Sequence, residues 1–130
     1  MLVTNAFSLN MLSADSEIRF SKITKACAAE LLHLENWESC VGHADTARVF
    51  SDVLGVEIPA NRATVSFDGS QKMIVGQYKG PRLPEGATKL PEGATIEWWL
   101  VQDAVPLALK KEIEERDYQE GVYWEFDPRQ

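Results

Sequence analysis

The chain of 130 residues is 45% hydrophobic and carries a formal net charge of −7, which suits one globular domain with a real core and leaves no comfortable room for a second. That acidic balance, heaviest in the last third, disfavours non-specific binding to long DNA or RNA through long-range repulsion. No apolar run approaches the ~20 residues that span a bilayer, and the start lacks the basic residues and long apolar stretch of a secretory leader; a soluble, cytoplasmic protein is expected.

In chain order, Leu2-Val-Thr4 predicts a short strand, and residues 5–13 a polar turn into a brief helix. Glu17-Ile-Arg-Phe20 alternates as a strand does, and Thr24 is placed to cap a helix running through Ala26, Cys27, Leu31 and Leu32. The two cysteines, Cys27 and Cys40, lack metal-ligand spacing and are expected to be buried thiols rather than a disulfide. His33, near the end of that helix, reads as a partner of its C-terminal carbonyls.

Glu38-Ser-Cys-Val41 then predicts a strand, and Thr46 to Leu54 an amphipathic helix stopped by Gly55. Between them, Gly42-His43-Ala44-Asp45 places an imidazole beside a helix N-terminus. Free N–H groups of a first helical turn point at such a junction and favour an anion, most simply a phosphate. His43 is then positioned to donate a proton to a leaving oxygen. The plainer alternative is that Asp45 or Thr46 caps the helix and His43 is chemically idle.

Arg62 to Phe67 alternates as a strand, Asp68-Gly69-Ser70 reads as a hairpin turn, and Lys72 to Tyr78 as the partner strand. Residues 83–95 repeat Leu-Pro-Glu-Gly-Ala-Thr on either side of Lys89. Pro and Gly at these spacings forbid regular structure, so two successive turns should project Arg82, Glu85, Lys89 and Glu92 from a loop. Ile96 to Gln102 predicts a central strand buried on both sides, with Trp98 and Trp99 facing opposite ways. Beyond it, a charged helix from Leu107 to about Tyr118 and a strand-like end at Val122 to Phe126 complete the chain. The fold class is α+β, a compact mixed sheet with helices on one face, divided into a domain at 1–103 and an extension at 104–130 packed on it.

Four separated stretches, in order, carry a resemblance: Leu2 to Leu12, Val41 to Ala47, Asn61-Arg62, and Gly76 to Gly86. Together they resemble the viral anti-CRISPR ring nucleases that antagonise type III systems by degrading cyclic tetraadenylate. The resemblance runs from Leu2 to about Gln102. It implies that His43 is the catalytic histidine, joined by Arg82 and Glu85, and that Asn5, Ser8, Asn10, Thr46 and Gln77 contact the ligand. Side-chain amides and hydroxyls suit ribose and adenine edges. For Asn5, Ser8 and Asn10 the competing account is turn chemistry and capping; for Arg82 it is a weak surface pair, perhaps with Glu85. Glu92 is treated as structural.

The implied chemistry needs no metal or cofactor, because each ribose 2′-hydroxyl in the ring is its own nucleophile. The resemblance also implies a homodimer that shares the ring across its dyad, and a loop that closes over the ligand. Two other classes stay open: a sponge that sequesters a cyclic nucleotide signal uncut, and a non-enzymatic viral interaction protein.

Overall fold

A computed structural model of the chain describes residues 1–13, 15–67 and 71–104. Five strands form one mixed sheet: β1 (Leu2–Thr4), β2 (Ile18–Ile23), β3 (Glu38–Ser39), β4 (Met73–Lys79) and β5 (Thr95–Asp103), in the order β2-β5-β4-β1-β3. β1 runs parallel to both β3 and β4, while β5 is antiparallel to β4 and β2. Two helices, α1 (Lys25–Leu34) and α2 (Ala44–Leu54), cover one face, and a single 3-10 turn spans Leu9–Met11. The α+β architecture expected from the sequence is the one observed.

Strand alternation sorts the core into two layers. Val3, Ile74 and Trp98 point toward the helices and meet Ala28 and Leu32 of α1 and Ala47, Phe50 and Leu54 of α2. Leu2, Met73, Val75 and Val101 point the other way and pack with Phe67. Trp98 and Trp99 divide between the two layers as expected, Trp98 edge-on to Phe50 with ring centroids 4.9 Å apart. Burial on both sides is why Leu2-Val3 of β1 and Met73-Ile74-Val75 of β4 are apolar without a break.

Local chemistry sets the helix ends. The Thr24 hydroxyl accepts from the Cys27 N–H at 3.0 Å and starts α1. Gly55, at φ 68°, takes the left-handed conformation that stops α2 and donates its N–H to the Ser51 carbonyl. Ser51 Oγ also accepts from the Ile58 N–H at 2.8 Å, turning the chain back under the helix. Asn61 then braces the route into α2, its side-chain amide donating to the Ser39 carbonyl (2.7 Å) and its N–H to the Val41 carbonyl (2.8 Å).

Three expectations are corrected. Residues 62–67 form no strand and no hairpin with β4, because β1 and β5 occupy both edges of β4. Their sheet-like contact is at Phe67, whose N–H donates to the Met11 carbonyl at 2.7 Å; the turn at 68–70 lies outside the described residues. The hairpin partner of β4 is β5, across the repeat loop. Cys27 is exposed rather than buried, since α1 turns Ala28 and Leu32 inward and leaves Cys27 on its outer side. Cys40 is half-buried, burial together with the charge of Glu38 raises its thiol pKa, and both thiols are free. Lastly, β3 ends at Ser39 and α2 begins at Ala44, two residues before Thr46. The helix and strand expected over 107–126 lie outside the described residues.

Candidate functional site

The parallel strands β1, β3 and β4 all deliver their carboxyl ends to one edge of the sheet, the edge where open α/β sheets form their binding crevices. β1 leads into Asn5, β3 into His43, and β4 carries Gln77 and Tyr78. Between these ends and the start of the repeat loop lies a cleft of ≈ 920 Å³, lined by Asn5, His43, Asp45, Thr46, Gln77, Tyr78, Gly80 and residues 82–85. Six of the eight residues singled out from the sequence meet there: His43, Arg82, Glu85, Asn5, Thr46 and Gln77. Ser8 and Asn10 do not line it. They are exposed in the 3-10 turn, where Ser8 Oγ accepts from the Asn10 N–H at 3.3 Å, the capping role that turn chemistry gives them.

His43 is exposed and occupies the N-cap of α2 in extended conformation, its carbonyl accepting from the Ala47 N–H at 2.9 Å. Its side chain makes no capping hydrogen bond. Nor does Asp45 act as the cap: it sits inside the first turn, paired with Arg48 and accepting from the Gly86 N–H at 3.2 Å. The imidazole therefore stands at the helix mouth, where backbone N–H groups of the first turn favour negative charge.

The repeat folds as the two turns expected of it. Ala87 donates to the Pro84 carbonyl at 3.0 Å and Ala94 to that of Pro91 at 3.1 Å, with Gly86 and Gly93 at φ 79° and 80°. Only the first copy borders the cleft, so Glu85 and Glu92 differ in location despite equal local sequence. Arg48 Nε donates to the Ala87 carbonyl at 3.4 Å, and the Tyr78 hydroxyl to the Pro81 carbonyl at 2.5 Å, fastening the loop beside the Gly86 contact with Asp45. Arg82 and Glu85 are exposed, and neither is in an ion pair among the described residues. The surface pair between them weighed from the sequence is not made.

Sequence reasoning did not single out Tyr78, or Asp45 as a tether. Tyr78 has a readable signal, since it neighbours Gln77 on a strand that ends at Lys79, just before Gly80. Asp45 has none: its partner Gly86 is 41 residues away.

A sequence model of the STIV B116-like family matches residues 1–97. B116 of Sulfolobus turreted icosahedral virus has a similar solved structure, with a TM-score of 0.67 at 23% identity over 78% of this chain and 97% of that one; at that identity the likeness is one of fold. Uncharacterized protein 26 of Sulfolobus islandicus filamentous virus (isolate Iceland/Hveragerdi) is 38% identical over 69 residues, 53% of this chain. The match spans 58% of that relative's length.

Proposed function

The chain belongs to the STIV B116-like family, and from that premise we propose that it is a metal-independent ring nuclease. Its substrate is cyclic oligoadenylate, most simply cyclic tetraadenylate, and its effect is to silence type III CRISPR signalling. One observation carries the reading: an imidazole and a guanidinium in no ion pair among the described residues, supplied by separate segments of the chain, border the same cleft at a helix N-terminus. Two side-chain amides, Asn5 and Gln77, line it with them.

The chemistry follows from what these groups do best. A ribose 2′-oxygen attacks the adjacent phosphorus in line, the bond from phosphorus to the 5′-oxygen breaks, and a 2′,3′-cyclic phosphate forms. His43 gives its proton to the departing 5′-oxygen. Arg82 presents a planar fork to the phosphate as charge gathers on its oxygens, and the N–H groups opening α2 add to that field. Glu85, on the same turn, takes the proton of the attacking hydroxyl or orients Arg82. Asn5, Gln77 and Thr46 hold the ribose and base so that the attack line is met.

A four-nucleotide ring has approximate two-fold symmetry, so two copies of the chain across a dyad present two His43 cleft mouths to one ligand. This homodimer is part of the proposal. Incubating the protein with cyclic tetraadenylate in the presence of a chelator, and resolving the products, tests it. Linear adenylates ending in a 2′,3′-cyclic phosphate support the nuclease. Intact ring retained by the protein turns the reading into a sponge, and absence of any binding leaves an interaction protein instead.

A further inference from the structure

On the sheet face turned away from the helices, a second recess of ≈ 410 Å³ shares Asn5 and Gln77 with the cleft. Register explains its walls. Trp99 lies opposite Val75 across β4 and β5, and Phe20 opposite Val101 across β2 and β5, so all four side chains reach the same face. Phe7, from the turn after β1, stands edge-on to Phe20 with centroids 5.3 Å apart. Phe20 remains 50% exposed, an aromatic ring held on an edge strand beside two amides instead of in the core.

We infer that this recess seats one adenine base of the ring ligand, stacked against the aromatic wall and read at its edge by Asn5 and Gln77. The inference rests on the nuclease reading and adds the specificity of the same site. A base is flat and apolar on its faces and polar only at its rim, and the recess is built in that pattern. A carboxamide offers a donor and an acceptor side by side, matching the N6 donor and N7 acceptor of adenine. Aromatic side chains supply the stacking surface by which proteins hold unpaired bases. The volume falls at the low end of the range for small-ligand pockets, about 300–1,000 Å³, which suits a base and not a whole ring. Continuity selects the occupant. A phosphate at His43 and Arg82 brings its nucleoside into the cleft, and Asn5 and Gln77 stand where cleft and recess meet.

Equilibrium binding of cyclic tetraadenylate to Phe20→Ala, Phe20→Trp and Leu34→Ala tests the assignment. Leu34 is 71% exposed at the far end of α1 and borders neither cavity. We expect Phe20→Ala to weaken binding about tenfold, the size of effect that loss of one base–aromatic stack gives, with Phe20→Trp restoring it and Leu34→Ala unchanged. A ring of uridylates, with less stacking area, should show a smaller drop. Should the alanine variant fail to fold, Phe20→Leu keeps the bulk, removes the ring face and carries the test. Wild-type affinity in that variant overturns the base assignment and leaves the nuclease standing; a wild-type protein that never binds the ring overturns both.

Discussion

Asp45, in the first turn of α2, accepts a hydrogen bond from the backbone N–H of Gly86 at 3.2 Å. This contact ties the helix that opens at His43 to the turn that carries Glu85, and Arg48, paired with Asp45, repeats the tie by donating to Ala87. The helix mouth at His43 and the turn carrying Glu85 are thus held in register through the Asp45 carboxylate. Removing the acceptor frees the loop. Asp45→Ala should lower single-turnover cleavage about tenfold, whereas Asp45→Asn, which keeps an oxygen for the Gly86 N–H, should retain most of it. The ion pair is exposed and worth at most about 1 kcal/mol, so the thermal midpoint should barely move. Equal rates in the two variants would show that the tether plays no part.

His43→Ala should bind cyclic tetraadenylate and scarcely cut it, since truncating a general acid typically costs ~10²–10⁴-fold in rate. Arg82→Lys separates charge from geometry at the same phosphate. Lysine keeps the positive charge and loses the planar fork, so it should bind the ring and cleave it at least about tenfold more slowly. Rapid-quench turnover beside equilibrium binding measures both variants. A His43→Ala protein with undiminished turnover removes the imidazole from the mechanism.

What the sequence makes legible is what local chemistry decides. The Thr24 hydroxyl three residues before its acceptor-seeking N–H, the left-handed Gly55, and the paired Pro-Glu-Gly turns all form where they are read. Misreadings occur where a local pattern has a distant arbiter. Ala63, Val65 and Phe67 alternate like a strand, yet β1 and β5 already hold both edges of β4, and neither competitor is visible from residues 62–67. Cys27 and Ala28 are neighbouring small residues, and the rotation of α1 about its axis, which turns Ala28 and Leu32 inward, decides that Ala28 goes inside. That His43 and Arg82 border one cleft is of the same long-range kind; residue chemistry points to each, and the resemblance, not spacing, joins them.

Gly76 of β4 packs directly against two buried rings. A methyl group built on it would lie 2.5 Å from Trp98 Cζ3 and 2.7 Å from Phe50 Cζ, inside van der Waals contact with two buried rings. Gly76→Ala should therefore destabilise the fold by roughly 1–3 kcal/mol through overpacking. Urea unfolding at neutral pH reads this directly. Adding Phe50→Leu should recover part of the loss, because the shortened side chain vacates the space the methyl needs, and such contacting pairs are non-additive. Strictly additive losses would mean that the strain is not between Gly76 and Phe50.

Glu97 couples the stability of the sheet to acid. Its carboxylate accepts from Lys79 at 2.8 Å, with Lys22 at 3.7 Å and the Trp99 side chain adding to the field, and the hydrogen bond from Lys79 leads in holding its pKa below the ordinary glutamate value. A carboxyl whose folded pKa is depressed stabilises the fold at pH values above its unfolded pKa. That contribution is lost as pH falls from the unfolded value through the folded one, because the native state must then accept a proton it resists. Comparing urea midpoints of wild type and Glu97→Gln across this window isolates the effect: the wild type should be the more stable at pH 7, with the gap closing as acid is added. The gap should also narrow in high salt, since these partners are solvent-exposed and screened. A difference that stays constant with pH would assign the loss to packing of the glutamine and not to the charge of Glu97.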